Sequence, residues 1–170
     1  VRAARVKAVK RGASGWPGEV RGDFDLTREL GSLYANTECG IFGVLPQENR
    51  PEAVGEAIPV ARRTEVRTGK AVILANCRGD EVCAYEIEIE KLYGGSAPTR
   101  NLLLRVTDPA LIALTGGIVQ GMSGSPIVQD GKLVGAVTHV LLDDPQRGYG
   151  ILAENMLSAS GMTAQSAASA

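Results

Sequence analysis

The sequence predicts an all-β protein with a short C-terminal helix. Aromatic residues make up 4% of the chain, so valine, isoleucine, leucine and alanine must fill the core, and 21 glycines and eight prolines interrupt its 170 residues. Branched aliphatic residues favour strands, whereas frequent glycine and proline mark turns. A chain of this length can bury a core, and these features together favour many short strands joined by turns.

Composition also narrows the function classes. Eighteen Lys and Arg nearly balance nineteen Asp and Glu, so no strong net charge would draw the protein to nucleic acid or to an anionic membrane. The sequence contains no run of about 18 apolar residues, which a membrane-spanning helix would need. One histidine and three cysteines without metal-ligand spacing predict no metal site. We expect no cofactor.

Short strands separated by turns are predicted in the first third of the chain. "ARVKAVKRG" (4–12) alternates apolar and polar residues, as a half-buried strand does. "GWPGEVRGDF" (15–24) predicts a turn followed by a strand over residues 19–24. "RELGSLYANTECGIFGVLP" (28–46) combines a polar turn with an apolar stretch.

A long hairpin is predicted next, with "TEVRTGKAVILANC" (64–77) and "DEVCAYEIEIEKLY" (80–93) as its arms. In the second arm three apolar side chains alternate with three carboxylates, namely Tyr85, Ile87 and Ile89 with Glu86, Glu88 and Glu90. Paired carboxylates can serve acid–base chemistry, but a regular period of two on one strand is typical of a solvated face. We interpret the glutamates as that face.

Two cysteines flank the turn of this hairpin. Cys77 and Cys83 lie on its two arms, and Cys39 lies elsewhere. Their positions allow a disulfide across the hairpin and equally allow two buried free thiols. The sequence leaves both alternatives open.

The last third contains the remaining elements. "TRNLLLRVTD" (99–108) predicts a strand, and Asp108 is the predicted N-cap of a short helical turn in "DPALIAL". "SPIVQDGKLVGAVTHV" (125–140) predicts a hairpin that turns at an Asp-Gly pair. "LLDDPQRGYGILAENML" (141–157) predicts a loop, a strand and a terminal helix, and the small polar tail 158–170 is expected to be disordered.

One serine stands in a tight glycine-rich turn, in "GMSGSP" (121–126). Such a turn can expose the hydroxyl of Ser123 as a nucleophile. The backbone N–H groups of Gly121 and Ser123 can then converge on one point and form an oxyanion hole. The sequence therefore predicts a site for acyl transfer here.

This turn resembles the Gly-X-Ser-Gly-X-Pro turn around the nucleophile of chymotrypsin-like serine peptidases. In that superfamily a hairpin follows the serine and leads to the strand along which substrate lies, and "DGKLVGAVTHV" (130–140) has the same order. The resemblance implies that Thr138, His139 and Val140 bind substrate. An acidic residue shortly before the serine selects basic substrates in trypsin-like enzymes, but "TGGIVQ" (115–120) has no charge, so we expect a small or neutral residue before the scissile bond.

A closer resemblance is to the stage IV sporulation protein B family of serine peptidases. It rests on "GWPGEVRGDF", "NTECGIFGVL" and the long stretch from "TGGIVQGMSGSP" to "GYGI" (115–151). The resemblance implies a chymotrypsin-like double β-barrel over residues 1–157, with a boundary near 50–65 and a first barrel that is complete or incomplete. It also implies an exported bacterial protein, located between forespore and mother cell, that cleaves a protein regulator or itself.

The same resemblance implies a His, Asp, Ser triad with Ser123 as nucleophile and Asp108 as the acid that orients the histidine. In the family that histidine lies in a Gly-His-Gly-like stretch before "GWPGEVRG", whereas this sequence has only His139. We expect the base on an upstream segment outside this sequence, so that the chain as given is a fragment or inactive. The alternatives are a variant that lost its base, or another group acting as base.

A function of another class fits the same residues. A catalytically dead β-rich module would use the strand at 138–140 to capture an extended peptide by β-augmentation. Covalent labelling of Ser123 separates this module from a peptidase, because only a poised nucleophile reacts.

Overall fold

The computed structural model describes residues 1–50, 56–94 and 98–161. It contains ten strands and two short helices within those ranges. In chain order the elements are β1 (Arg2–Lys10), β2 (Glu19–Glu29), β3 (Ser32–Thr37), β4 (Gly40–Val44), β5 (Gly69–Arg78), β6 (Glu81–Leu92), β7 (Leu102–Val106), α1 (Pro109–Thr115), β8 (Pro126–Gln129), β9 (Lys132–Leu141), β10 (Asp144–Leu152) and α2 (Ala153–Ala159). The predicted all-β class with a C-terminal helix is confirmed.

Six strands form a closed barrel in the order β10-β7-β6-β5-β8-β9, and every pairing is antiparallel. Its interior is filled by aliphatic side chains that are almost fully buried, among them Ile73, Ile87, Ile89, Leu102, Leu104, Ile127 and Val134. Buried and more exposed residues alternate along β5 and in the second half of β6, as expected for barrel strands. This core fixes the positions of β8 and β9, which flank the serine turn.

The predicted hairpin of β5 and β6 is present, and its glutamates lie on the outside. Glu86 and Glu88 are exposed, which confirms the interpretation as a solvated face. Glu90 is partly buried and forms ion pairs with Arg105 and Arg147. Burial alone would raise the pKa of Glu90, but hydrogen bonds from the two guanidinium groups hold this pKa below its ordinary value.

The cysteines of this hairpin are free thiols, as is Cys39. Cys77 is buried in the barrel near Cys83. Burial raises the pKa of the Cys77 thiol, the neighbouring Cys83 raises it further, and a hydrogen bond with Tyr85 offsets part of the rise. Of the two alternatives that the spacing allowed, the structure has the free thiols.

The first four strands form two separate two-stranded ribbons, β1–β2 and β3–β4. Nine of the eleven residues of β2 are exposed, and several large apolar side chains of the ribbons face solvent, namely Phe24, Leu26, Leu33, Tyr34, Ile41 and Val44. The second barrel of the predicted double-barrel fold is therefore closed. Among the described residues the first barrel is not closed, which is the incomplete form that the sequence prediction allowed.

The ends of the predicted domain are less fully described. The boundary predicted near 50–65 falls between β4 and β5, and residues 51–55 of it lie outside the described residues. The helix α2 ends at Ala159, so its last two residues fall within the predicted tail. Residues 162–170 of that tail lie outside the described residues. Within the described ranges, no helix has both the length and the apolar character to cross a membrane.

Candidate active site

The serine turn is anchored by a buried methionine. Met122 is 2% exposed and packs into the barrel core, while its neighbours Gly121 and Ser123 are exposed. The backbone reverses sharply at two glycines with positive φ, Gly121 at 97° and Gly124 at 90°, a conformation that side chains with a Cβ rarely adopt. The turn therefore holds the Ser123 hydroxyl at the surface, as the sequence predicted.

Two backbone donors beside the hydroxyl are available for a ligand. The N–H of Met122 donates to Val119 (3.1 Å) and the N–H of Gly124 donates to Val137 (2.8 Å). In the part of the chain that the structure describes, the N–H groups of Gly121 and Ser123 donate to no backbone or side-chain acceptor. These are the two donors predicted for the oxyanion hole, and unpaired amides are what a developing oxyanion needs.

The start of β2 supports the turn from one side. The N–H of Gln120 donates to Gly18 (2.9 Å), and the carbonyl of Gln120 accepts from Val20 (2.7 Å). A Cβ on Gly121 would lie 3.0 Å from the Val20 side chain. Residues 18–20 thus fix the chain immediately before the oxyanion donors.

A buried threonine supports the turn from below. Thr115 is fully buried, and its hydroxyl donates to Leu111 (2.9 Å) and bonds both the carbonyl and the N–H of Gly117. The Thr115 carbonyl in turn accepts from the N–H of Gly12 (2.8 Å). This network ties the end of α1 to the segment that leads to Ser123.

The serine hydroxyl contacts the strand predicted to bind substrate. Ser123 Oγ donates to the carbonyl of Thr138, at 2.9 Å. A register shift in the β9–β10 ladder falls at Thr138, between Val137 and His139. A β-bulge re-aims the backbone at such a point, and here both the Val137 and the Thr138 carbonyls face the serine turn.

Beyond this bulge one edge of β9 has no strand partner among the described residues. The ladder with β8 ends at Ala136, and from Val137 to Leu141 the strand pairs with β10 alone. The His139 carbonyl faces Gly148 of β10. Because successive residues of a strand direct their N–H and C=O groups to opposite edges, those of Val140 face the open edge. Thr138 and Val140 thus both lie at this edge, and their role in substrate binding stays a prediction.

The only histidine of the sequence lies opposite β10 in the β9–β10 ladder. His139 is exposed and pairs with Tyr149 across the β9–β10 ladder. No hydrogen bond joins His139 to Ser123 in the described ranges. The structure does not bring the histidine and the serine together as a catalytic pair, in line with the substrate-flanking role predicted for His139.

Asp108 caps the helix α1. One of its carboxylate oxygens accepts from the N–H groups of Ala110 (2.8 Å) and Leu111 (3.0 Å), and the other accepts from Glu86 (3.2 Å). Burial alone would raise the pKa of Asp108, but these backbone donors hold it below its ordinary value. The contacts are those of an N-cap.

The barrel separates Asp108 from the serine. Asp108 is bonded to β6, and Ser123 is bonded to β9. Two strands lie between β6 and β9 in either direction around the barrel, β5 and β8 one way and β7 and β10 the other. The structure therefore does not bring Asp108 to the hydroxyl, and its triad role stays a prediction.

A buried apolar side chain packs behind the strand predicted to bind substrate. Ile118 is 3% exposed, and its side chain packs against Gly148, beside the carbonyl of His139. The backbone of the same segment is held by the N–H of Ile118, which donates to Pro145 (2.7 Å). As for metal binding, no group of three or more histidine, cysteine, aspartate or glutamate side chains suited to an ion occurs in the described part of the chain.

Sequence reasoning missed the residues that support the turn. It quoted "GWPGEVRGDF" without a structural role for Gly18 and Val20, and it assigned none to Met122 or Thr115. A large apolar residue within a polar, glycine-rich turn indicates a side chain that packs into the core, so the burial of Met122 could have been predicted. Nothing local predicted the bonds to Gly18 and Thr115, because both involve segments about 100 residues apart.

A six-stranded antiparallel barrel that presents a serine in a glycine-rich turn beside an open strand edge defines the class of this protein, a chymotrypsin-like serine peptidase. Residues 1–157 match the sequence model of the SpoIVB peptidase S55 family, and the chain belongs to that family. No curated protein matches the chain significantly.

Solved structures of similar fold include two forms of the Rv3671c protease from M. tuberculosis. Its active form has 18% sequence identity and a TM-score of 0.54, over 94% of this chain and 80% of that chain. An inactive form has 16% identity and a TM-score of 0.51, over 93% of this chain and 88% of that chain. At these identities the likeness establishes the fold.

Proposed function

We propose that the protein is a serine endopeptidase with Ser123 as its nucleophile. The observation that supports this most directly is an exposed Ser123 hydroxyl on a turn whose Gly121 and Ser123 amides have no acceptor among the described residues, next to the open edge of β9. The amides would bind an oxyanion, and the edge would hold an extended peptide. The nucleophile, the oxyanion donors and the peptide-binding edge are thus adjacent.

The chemistry follows the usual course for a serine nucleophile. Ser123 Oγ adds to the scissile carbonyl carbon while its proton passes to a general base, and the carbonyl oxygen receives the electron pair and binds the N–H groups of Gly121 and Ser123. Collapse of this intermediate breaks the C–N bond, and the amine takes up the proton. Water then hydrolyses the acyl-enzyme by the same route.

The general base comes from a histidine outside this sequence. Two observations support this assignment: the Ser123 hydroxyl donates to a carbonyl rather than to a base, and His139 makes no bond to it within the described residues. Without a base, a serine of this kind loses a factor on the order of 10⁴ to 10⁶ in rate. Asp108 as the acid of the triad is the finer part of this proposal, and its N-cap contacts are a competing role.

The substrate is an extended protein segment with a small or neutral residue before the scissile bond. Support comes from the uncharged segment 115–120 before the serine and from the open edge at Thr138 and Val140. In line with the family, we propose that the substrate is a protein regulator in sporulation signalling, or the chain itself, and that cleavage takes place outside the cytoplasm, between forespore and mother cell.

A peptide-binding module without catalysis is the second candidate. The observation that favours it is the Ser123–Thr138 hydrogen bond, which leaves the hydroxyl without a base while the strand edge stays open. Such a module would bind extended peptides and leave them intact.

The test is intact-mass labelling with a fluorophosphonate, which reacts only with a poised serine. The reagent is applied to this chain and to a version extended upstream to include the Gly-His-Gly-like stretch. We expect the extended version to be labelled at least about 10³ times faster, with one adduct. Ser123→Ala should abolish the adduct, and Ser125→Ala, which removes the other serine of the turn, should leave it.

Two outcomes would contradict the proposal. Labelling that survives Ser123→Ala would place the nucleophile elsewhere. No labelling of either version, together with binding of intact peptides, would favour the non-catalytic module.

A further inference from the structure

The loop between β1 and β2 closes one end of the substrate edge. The N–H of Gly15 donates to the carbonyl of Leu142 (2.8 Å), and Ser14 Oγ donates to the carbonyl of Asp143 (3.0 Å). Leu142 directly follows β9, in the turn that joins β9 to β10, so Gly15 binds just beyond the end of the strand. The open edge therefore runs from Thr138, where Ser123 is bonded, to the end of β9 at Leu141, about 10 Å for three residues, and Gly15 is bonded immediately after it.

This loop also holds a tryptophan at that end of the edge. Ala13 and Trp16 exchange two backbone hydrogen bonds, of 3.0 and 2.9 Å, and the bond from Gly12 to Thr115 ties the loop to the end of α1. In this fixed loop Trp16 remains 73% exposed, and Leu142 is 56% exposed. Large apolar side chains on a rigid surface next to a binding edge are typical of a recognition site.

The register of a bound peptide places one side chain at this point. The residue before the scissile bond (P1) lies beside Thr138, because Ser123 is bonded there, and an antiparallel peptide then has its third residue (P3) opposite Val140. Pairing cannot continue to a fifth residue, since Gly15 already occupies the Leu142 carbonyl. The peptide must leave the edge at its fourth residue (P4), next to the loop.

We propose that Trp16 and Leu142 form a subsite that binds an aromatic or large aliphatic side chain at P4 of the substrate. The subsite rests on the proposed function, because it assumes that peptides lie along β9 toward Ser123. It makes Trp16 a specificity-determining residue: the loop ends the strand pairing, and the indole and the leucine side chain take up the residue that turns away.

The test uses peptide boronic acids and the emission of Trp16, which is the only tryptophan of the sequence. A boronic acid accepts a lone pair from a serine oxygen and forms a tetrahedral B–O adduct, with the hydroxyl proton released to water. The three probes end in a boronic acid analogue of alanine at P1: one has alanines to P3 only, one adds glycine at P4 and one adds phenylalanine at P4. Excitation at 295 nm follows Trp16 alone.

We expect the phenylalanine probe to bind about tenfold more tightly than the glycine probe and to shift the Trp16 emission to the blue. The probe that ends at P3 should bind without a shift. Trp16→Ala should abolish the preference for phenylalanine and leave the P3 probe unaffected. Phe24→Ala, which removes another exposed aromatic of the β1–β2 ribbon, should preserve the preference.

The failures of the two proposals are distinguishable. If the P3 probe binds and Ser123→Ala weakens it, but phenylalanine gives no gain over glycine or the gain survives Trp16→Ala, the subsite is wrong and the peptidase assignment stands. If no probe shows binding that depends on Ser123, either to this chain or to the version extended upstream to include the histidine, the proposed function fails and the subsite fails with it.

Discussion

At the residue scale, the serine turn divides two tasks between adjacent residues. Met122 fills the core and Ser123 faces solvent, because a tight turn directs successive side chains to opposite sides. Positive φ values at Gly121 and Gly124 make this reversal possible. Removal of the anchor should therefore affect folding, and removal of the nucleophile should affect chemistry.

Met122→Ala is expected to lower the free energy of unfolding by about 2–5 kcal/mol, the usual cost of a buried large-to-small substitution. The change also loosens the turn, so labelling of Ser123 in the base-containing version should slow. Urea denaturation followed by circular dichroism measures the first effect, and the rate of adduct formation measures the second.

Ser123→Ala is the matched control for this change. It removes an exposed hydroxyl bonded to one carbonyl, so its effect on the free energy of unfolding should stay within about 0.5 kcal/mol. Equal losses of stability in the two variants would contradict the division of tasks.

At the element scale, α1 connects the barrel to the serine turn and begins at Asp108. Asp108 accepts three backbone N–H groups, and the helix ends at Gly116, whose N–H donates to Ile112 (2.9 Å). A helix of seven residues has little stability of its own. Its cap and its buried Leu111 therefore contribute much of what holds it in place.

The substitutions Asp108→Ala and Asp108→Asn separate capping from catalysis. Asp108→Ala should lower the free energy of unfolding by about 0.5–2 kcal/mol, whereas Asp108→Asn should lower it less, since its amide oxygen can still cap Ala110 and Leu111 and only the acceptor for the N–H of Glu86 is lost. From the contacts, we expect Asp108→Asn to retain labelling of Ser123 in the base-containing version. A strong loss of labelling at unchanged stability would instead support the triad role.

The capping contribution should also depend on pH. The folded protein has a lowered pKa at Asp108, so the carboxylate binds protons more weakly when folded than when unfolded. The stabilisation is therefore present above the ordinary pKa of 3.8 and is lost as the pH falls through the lower folded value. The difference between the protein and Asp108→Ala in urea denaturation should be full at pH 7 and smaller at pH 3.

At the scale of the whole molecule, the sequence predicted what depends on local pattern. Alternation identified β6 and its outward glutamates, and the Asp-Gly pair identified the β8–β9 turn, because both signals lie within a few residues. The serine turn was recognisable for the same reason. The barrel was predicted from the family resemblance alone. The Ser123–Thr138 bond and the bond from Gln120 to Gly18 were not predictable, since they join segments whose approach depends on the whole core.

The molecule combines one well-filled barrel with two ribbons that bury little. Side chains from the barrel strands make up most of the apolar core, while nine of the eleven residues of β2 are exposed. A two-stranded ribbon without a hydrophobic face against a partner is marginal in water. Parts of the β1–β2 ribbon are exceptions: Val6 bonds to Gly79, Val9 packs against the core, and residues 18–20 bond to Gln120 beside the oxyanion donors.

Hydrogen exchange should therefore divide the molecule into two parts. We expect amides of β3, β4 and residues 24–29 of β2 to exchange roughly 100-fold faster than those of β6 and β7, since opening a ribbon exposes little apolar surface. The amides of Gln120 and Val20 should exchange more slowly than the distal part of β2, as they bond to each other's segments. Exchange followed by mass spectrometry on overlapping peptides measures both differences. Equal protection of ribbons and barrel would mean that contacts other than those described stabilise the ribbons. The whole first half of the protein, and not residues 18–20 alone, would then hold the segment before the oxyanion donors in place.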